Sequence, residues 1–152
     1  MTATELLSFL RQRSLAVQAT VSADNVPQAA VVGIVVTNTF DVFFDCSGDS
    51  RKVANLRRNP RIAFVFGGTM PGDERTVQYE GIADQPTGAE LARLKEHYFA
   101  SFPDGRQRES WADITYIRAR PTWIRYSDFN QDPPEIFEFD PEQLRTSGPK
   151  VG

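Results

Sequence analysis

Apolar residues recur at every second position in several short segments of the chain, and this spacing predicts β-strands. Residues 15–22 show it first, with one side formed by Leu15, Val17, Ala19 and Val21. Residues 29–36 are apolar almost throughout, which predicts a strand buried on both faces. Gly33 in the middle of this run indicates close approach by another backbone or a ligand. Residues 41–46 predict a third strand, and short turns between the three predict an antiparallel meander.

The second half of the chain continues with short strand patterns separated by turn residues. The predicted strands cover residues 61–66, 75–83, 114–118, 123–126 and 136–139. Pro121 separates the third and fourth of these, because proline cannot donate a hydrogen bond to a sheet. A loop rich in glycine and proline is expected at residues 67–73.

Three segments have the spacing and end signals of helices. They cover residues 3–13, 50–59 and 87–100. Thr2 with Glu5, and Thr87 with Glu90, fit capping boxes, and Ser50 is a suitable N-cap.

These elements predict a mainly β (α+β) fold with six or seven mostly antiparallel strands and two or three short helices. Long strands at short spacing favour a barrel or sandwich. The helix at residues 50–59 bridges the third and fourth strands, so we interpret the fold as a split β-barrel that is open at that point. Residues 1–140 would form this one domain, and residues 141–152 a C-terminal tail.

Composition narrows the class of protein. The 152 residues carry 17 basic and 20 acidic side chains, a net charge of −3, which argues against nucleic-acid or membrane-surface binding. The chain has one cysteine, Cys46, and one histidine, His97, so it predicts no internal disulfide and no Cys/His zinc site. We expect Cys46 to be a packed thiol and His97 to be exposed. Without a secretory signal or a long apolar run, we expect a cytoplasmic protein.

The segment Ser50-Arg51-Lys52 carries the most chemical information. It places two basic residues in the first turn of a helix, where the macrodipole favours acidic ones. The conflict disappears if a phosphate docks there, held by backbone N–H groups, the serine hydroxyl and the two cations. The alternative is a solvated basic end paired with Asp45 and Asp49. The residues alone leave both interpretations open.

A longer stretch around this segment resembles a known family. The resemblance rests on Phe43-Phe44-Asp45, Ser50-Arg51-Lys52, Asn55-Leu56, Asn59-Pro60-Arg61 and the later strand from Arg75-Thr76-Val77 to Gly81. Over most of residues 5–127 the chain is similar to the pyridoxamine 5'-phosphate oxidase-like superfamily of FMN-binding split barrels. The spacing between Ser-Arg-Lys and Asn-Pro is its most specific part.

The resemblance implies a homodimer with two cofactors in clefts between the subunits. It implies that Arg51 and Lys52 hold the FMN phosphate and that the second strand lies along the flavin ring. The implied cofactor-binding residues are Val31, Val32, Asp45, Ser50, Arg51, Lys52, Thr76, Gln78, Trp123 and Arg125. Trp123 and Arg125 would come from the partner subunit; core packing and a solvated strand face are their respective alternatives. No catalytic side chain and no metal ligand is implied.

Two departures from the oxidase limit what carries over. The second strand contains no Arg or Lys to help bind FMN, and no histidine accompanies Arg125 to bind a pyridoxal substrate. We therefore do not expect pyridoxamine phosphate oxidation. The sequence predicts an FMN-binding oxidoreductase acting on an unidentified small molecule, with a deazaflavin as the alternative cofactor. A non-catalytic flavin-binding protein and a dimer without cofactor are the other hypotheses.

Overall fold

Among residues 1–147, which the computed structural model describes, eight strands form one curled antiparallel sheet. The strands are β1 (Leu15–Val21), β2 (Pro27–Gly33), β3 (Val35–Val36), β4 (Val42–Ser47), β5 (Arg61–Gly67), β6 (Arg75–Asp84), β7 (Ile114–Asp128) and β8 (Glu135–Phe139). The helices are α1 (Ala3–Arg11), α2 (Arg51–Arg58), α3 (Gly88–Ser101), α4 (Gly105–Arg108) and α5 (Pro141–Ser147).

The strand order is an open path whose two end strands, β2 and β3, are consecutive in the chain. It runs β2-β1-β5-β6-β7-β4-β3, and β8 pairs with the C-terminal part of β7, from Ile124 to Asp128. Only Ile34 separates β2 from β3 in the chain, although the two strands lie at opposite ends of this path. The predicted mainly β split barrel is confirmed. The predicted meander is correct in part: the predicted strand at residues 29–36 pairs with β1 through β2 and with β4 through β3, but it is broken at Ile34, and β4 also pairs with β7.

A β-bulge explains why β7 is one strand and not two. The register of β6 against β7 shifts between Glu80 and Gly81, so that Gly81 lies opposite Pro121 and Glu80 opposite Trp123. A bulge accommodates a residue that cannot join the regular hydrogen-bond ladder. The strand therefore continues through Pro121, contrary to the sequence prediction.

The side chains of β1 that face the core are not the apolar set that its alternation picks out. The residues buried inside the curl are Ala16, Gln18 and Thr20, whereas the apolar set that includes Leu15 and Val17 points outward. On β2, Val31 is 63% exposed. The prediction that residues 29–36 are buried on both faces is therefore wrong for the single chain over β2, and correct at β3.

The close approach expected at Gly33 is made by a side chain. A Cβ at this position would lie 2.9 Å from the ring of Phe102. The neighbour is thus an aromatic ring that stacks on Tyr98, not a backbone or a ligand.

The helix ends match the sequence signals in part. The Thr2–Glu5 capping box of α1 is present. At α3 the Thr87 side chain makes no capping bond, and the carboxylate of Glu90 pairs with the buried Arg118 instead.

The C-terminal segment contains a further helix. The first part of the predicted tail forms α5, where Leu144 is buried, and residues 148–152 lie outside the described residues. No helix within residues 1–147 has both the length and the apolar character needed to cross a membrane.

Candidate functional site

Helix α2 is tied to the sheet by a buried amide. Asn55 Nδ2 donates to Thr20 Oγ1 at 3.0 Å and to Gln28 Oε1 at 2.9 Å, which links α2 to both β1 and β2. Val53 and Leu56 bury the apolar side of the same helix. These contacts fix the N-terminus of α2 beside the inner edge of the β1–β2 pair.

The N-terminus of α2 has unused hydrogen-bonding capacity. Ser50 is the N-cap, but its side chain makes no capping bond, and the first turn contains no acidic residue. Ser50 Oγ is buried; it has no nitrogen or oxygen partner among the described residues, and its side-chain contact is with the Cys46 thiol, whose pKa it lowers. Arg51 and Lys52 follow it directly, and neither lies within ion-pair distance of a described carboxylate.

A cavity of about 250 Å³ opens at this helix end. Its walls are Gln18, Thr20, Gln28, Ala29, Ala30, Ser50, Arg51 and Lys52. Gln18 is 2% exposed, and its Oε1 atom is a second buried polar atom without a partner. Two cations, helix N–H groups and a serine hydroxyl converge here, and this combination of groups favours an anion. We call this cavity the α2 pocket.

Asp45 takes part in a different cluster. Its carboxylate accepts from Arg108 Nε at 2.8 Å and from Tyr98 Oη at 3.0 Å, and its side chain is only 8% exposed. Burial and the charge of Asp45 raise the pKa of Tyr98. Asp49, in turn, accepts from the Ser47 hydroxyl. The pairing of Arg51 and Lys52 with these two aspartates is therefore absent, and Asp45 is directed toward α3 and α4 rather than toward a cofactor in the α2 pocket.

The single thiol and the single imidazole do not line the α2 pocket. Burial raises the pKa of Cys46, although Ser50 and the charge of Lys52 oppose the rise. The thiol is therefore the resting form, in line with a packed role. His97 is half-buried rather than exposed, and burial together with Arg11 lowers its pKa.

A second group of predicted residues lies on the outward face of the sheet. One row across the strands places Val31 beside Val17, Val17 beside Val65, Val65 beside Gln78 and Gln78 beside Arg125. Three strand spacings, about 14 Å, separate Val31 from Gln78 in one chain. Gln78 and Arg125 are thus neighbours, and Val31 is remote from them.

The other predicted residues divide between these regions. Thr76 and Trp123 occupy the same strand faces as Gln78 and Arg125, two positions along β6 and β7. Both are half-buried. Val32 lies on the opposite face of β2 from Val31 and packs against the core. A single ligand on one chain cannot touch all ten predicted residues.

The outward face is apolar where it crosses β2, β1 and β5. Leu15, Val31 and Val65 are 57%, 63% and 43% exposed. Contiguous exposed apolar surface on a water-facing sheet is typical of an interface with another molecule. We call this surface the outer apolar face. On β7, Arg125 Nε is buried without a hydrogen-bond partner, 4.0 Å from a Glu138 oxygen.

Sequence reasoning missed Gln18, Asn55 and Arg108. The polar residues Gln18 and Thr20 alternate along β1 as regularly as its apolar residues do, so the sequence does not show which set faces the core. Asn55 and Arg108 depend on contacts across 27 to 63 residues of chain, which no local pattern reports.

Comparison with known proteins places the chain in a family. The family model described as pyridoxamine 5'-phosphate oxidase matches residues 2–128. A pyridoxine/pyridoxamine 5'-phosphate oxidase of Cupriavidus metallidurans is 34% identical over 124 residues, an alignment covering 76% of this chain and 55% of that protein. The chain thus corresponds to about half the length of this relative.

Solved structures with the same fold have other names. A heme binding protein from Mycobacterium smegmatis superposes with a TM-score of 0.81 at 16% identity, covering 96% of this chain and 61% of that one. A heme storage protein from Vibrio cholerae gives 0.68 at 17% identity, covering 78% and 88%. Identities this low establish the shared fold alone. The family model and the curated relative together establish that the chain belongs to the pyridoxamine 5'-phosphate oxidase family.

Proposed function

We propose that this protein is a homodimer that binds FMN, with the FMN phosphate in the α2 pocket, and that it acts as a flavin-dependent oxidoreductase on a small molecule. The observation that carries the proposal is the convergence of Ser50, Arg51 and Lys52 on one cavity at the N-terminus of α2, where neither cation is paired with a described carboxylate. The family assignment supports it.

The α2 pocket has the chemistry that a phosphate monoester needs. A dianion would accept hydrogen bonds from the Ser50 hydroxyl and from the free N–H groups of the first turn of α2, and it would neutralise Arg51 and Lys52. Hydrogen bonds to charged groups are worth about 1.5–3 kcal/mol each. A phosphate would also remove the unfavourable interaction of the two cations with the helix dipole, about 0.3–1 kcal/mol per charge.

The outer apolar face supports the homodimer. A second copy of the chain that covers this face would remove Leu15, Val31 and Val65 from water. It would also bring the partner's β6–β7 residues onto the β2 strand of the first chain. Such an arrangement would unite the Val31 region with Gln78 and Arg125, which are too far apart within one chain to contact one flavin ring.

FMN, when bound, supplies hydride transfer, so the chain need only bind and orient the cofactor and its substrate. This fits a site whose walls hold no acid–base pair and no nucleophile tied to a base. The α2 pocket also has no basic residue from β2, since Ala29 and Ala30 line it there. We infer that FMN is held mainly by the N-terminus of α2. The substrate class stays open, and the substrate of the oxidase is not assigned to this protein.

The alternatives share the phosphate site but differ in spectrum and turnover. A phosphorylated deazaflavin would use the same α2 pocket. A non-catalytic protein would bind flavin without turnover. Heme, which the names of the two structural neighbours mention, carries carboxylates instead of phosphate and takes an axial ligand; the α2 pocket is lined by no histidine or cysteine. FMN is therefore the cofactor that these walls fit best.

The first test is the absorption spectrum of the purified protein, followed by titration with FMN, a deazaflavin and heme. Arg51→Ala with Lys52→Ala is expected to weaken FMN binding by about 3–6 kcal/mol, the sum of two charged hydrogen bonds. Arg57→Ala, an exposed basic residue at the other end of α2, is the matched control and should bind FMN like the wild type. A Soret band with tight heme binding, or equal FMN affinity in the double variant, would contradict the proposal. Flavin bound without any NAD(P)H turnover would favour the non-catalytic protein.

A further inference from the structure

We infer that a second cavity, between α1 and the strands β6, β7 and β8, binds a small zwitterion, that is, a free amino acid with an apolar side chain. The cavity has a volume of about 350 Å³ and shares no wall residue with the α2 pocket. We call it the α1 cavity. The inference does not depend on the cofactor. It starts from a buried tyrosine, a guanidinium with an unused nitrogen and an unpaired carboxylate, which all line this one space.

Three aromatic rings give the α1 cavity an apolar wall. The rings of Phe9 and Tyr126 meet edge to face with their centroids 5.3 Å apart, and the centroids of Tyr126 and Phe137 are 6.4 Å apart. Phe9 and Tyr126 are each 5% exposed, so the core holds both rings in place. Aromatic walls of this kind favour an apolar group on the ligand.

The hydroxyl of Tyr126 is a polar group without a partner in the protein. It makes no hydrogen bond with a described residue, although the side chain is almost completely buried. The hydroxyl of Tyr116 also lacks a partner but is sealed from solvent, whereas that of Tyr126 is not sealed and so borders the space that Tyr126 lines. Burial, together with the charge of Asp128, raises the pKa of Tyr126. The hydroxyl is therefore protonated at neutral pH and can donate a hydrogen bond.

A guanidinium lies near this hydroxyl. The central carbon of the Arg75 guanidinium is 5.5 Å from the centroid of the Phe9 ring, and its charge acts on Tyr126. Arg75 Nε and Nη2 donate to Asp73 at 2.7 and 2.8 Å, which leaves Nη1 without a partner among the described residues. Asp73 also pairs with Arg13 at 3.4 Å, so one carboxylate serves two guanidiniums. A carboxylate in the cavity can accept from Arg75 Nη1 and from the Tyr126 hydroxyl together.

Another part of the cavity wall carries a negative charge. In the sheet register Asp128 lies between Arg75 on β6 and Glu135 on β8, so Arg75 and Glu135 are two strand spacings apart, about 10 Å. Glu135 is exposed, and it is in no ion pair with a described residue. Glu5, the other carboxylate of the wall, already accepts from the Thr2 N–H. Glu135 is therefore the free acceptor for an ammonium group.

Groups of opposite charge select a molecule that carries both charges. An amine alone leaves the Tyr126 hydroxyl and Arg75 Nη1 unused, and a carboxylic acid alone leaves Glu135 unpaired. An α-amino acid supplies a carboxylate for the first two groups, an ammonium for the third, and a side chain for the aromatic wall. Among residues 1–147 no group of three or more His, Cys, Asp or Glu side chains is placed to hold a metal ion, so the cation that fits here is organic.

The experiment compares three ligands of one skeleton by calorimetry: L-phenylalanine, phenethylamine, which lacks the carboxylate, and hydrocinnamate, which lacks the ammonium. The wild type should bind L-phenylalanine at least about tenfold more tightly than either of the others. This comparison does not depend on how any variant folds.

Two variants separate the charged ends of the ligand. Tyr126→Phe should weaken L-phenylalanine and hydrocinnamate about tenfold and leave phenethylamine unchanged. Glu135→Gln should weaken L-phenylalanine and phenethylamine and leave hydrocinnamate no weaker. Glu74→Gln, an exposed glutamate that does not line the cavity, is the matched control and should bind all three like the wild type.

The contrary results are equally specific. Failure of L-phenylalanine and L-leucine to bind the wild type at millimolar concentrations, or equal affinity for the three ligands, would overturn the inference. Unchanged affinities in Tyr126→Phe and Glu135→Gln would remove the α1 cavity as the site. The Arg51→Ala and Lys52→Ala double variant should bind L-phenylalanine like the wild type, so a loss of FMN binding alone leaves this inference intact. Loss of amino-acid binding in that variant would contradict it.

Discussion

The hydrogen bonds that Asn55 makes between α2 and the sheet predict that the single substitution Asn55→Leu lowers the stability of the protein substantially. Asn55 is 5% exposed; its amide nitrogen donates two hydrogen bonds, to Thr20 at 3.0 Å and to Gln28 at 2.9 Å, and its oxygen accepts a longer one from Arg58 at 3.4 Å. Leucine has a similar volume, so the change removes the bonds without leaving a large void. Both bonds together are worth about 2 kcal/mol.

The partners respond unequally to the loss. Gln28 is half-buried and can turn its amide toward water, whereas Thr20 is 3% exposed and would keep an unsatisfied oxygen. An unpaired buried acceptor adds about 1–2 kcal/mol, so we expect a total loss of about 3–4 kcal/mol in the free energy of unfolding. That is less than the stability of a typical domain, about 5–15 kcal/mol, so the variant should still fold.

Two measurements on the same variant test this reasoning. Urea unfolding gives the free energy of unfolding, and FMN titration shows whether the α2 pocket keeps its geometry. Ala54→Leu, on the exposed side of α2, is the matched control and should stay within about 0.5 kcal/mol of the wild type. A change of less than about 0.5 kcal/mol in Asn55→Leu, with unchanged FMN affinity, would refute the claim that this amide positions the pocket.

Three further predictions follow from particular contacts. Val65→Asp puts a charge on the outer apolar face where the side chain is already 43% exposed, so sedimentation should show a monomer that retains its fold. The hydrogen bond from Arg75 lowers the pKa of Asp73 from 3.8 to about 2, so the stability from this pair should persist above pH 4 and disappear as the pH falls toward 2. Gly33→Ala places a methyl 2.9 Å from the Phe102 ring and should cost about 1–3 kcal/mol, which Phe102→Leu should partly relieve.

Each of these predictions has a clear contrary result. A Val65→Asp protein that sediments as a dimer would remove this face from the interface. The stability of Asp73→Asn, measured by urea unfolding at several pH values, should vary less between pH 4 and pH 2 than that of the wild type, and equal slopes would contradict the assignment. If the costs of Gly33→Ala and Phe102→Leu simply add in the double variant, the two residues are not coupled.

Features set by neighbouring residues in the chain could be predicted from the sequence. The Thr2–Glu5 capping box and the start of α2 at Ser50 depend on residues three or four positions apart, and the structure has both. The strand patterns also located most of the sheet. The capping box predicted at Thr87 is absent because the Glu90 carboxylate pairs with Arg118, a residue 28 positions away.

The face that a strand presents to the core could not be predicted in the same way. Alternation in β1 separates two sets of side chains but does not say which set points inward. The apolar set points outward here, and the polar Gln18 and Thr20 point toward α2 and its pocket. The partner of Asp45 was missed for a related reason, since Arg108 lies on α4, 63 positions further along the chain.

The central claim is that the α2 pocket holds the phosphate of FMN, and the most direct measurement is the affinity of the wild-type protein for FMN relative to riboflavin. The two molecules share the flavin ring and the ribityl chain and differ only in the phosphate. Binding of FMN that is tighter by about 3 kcal/mol or more, with the difference lost in the Arg51→Ala and Lys52→Ala double variant, is the predicted result. Equal affinities in the wild type would contradict the account.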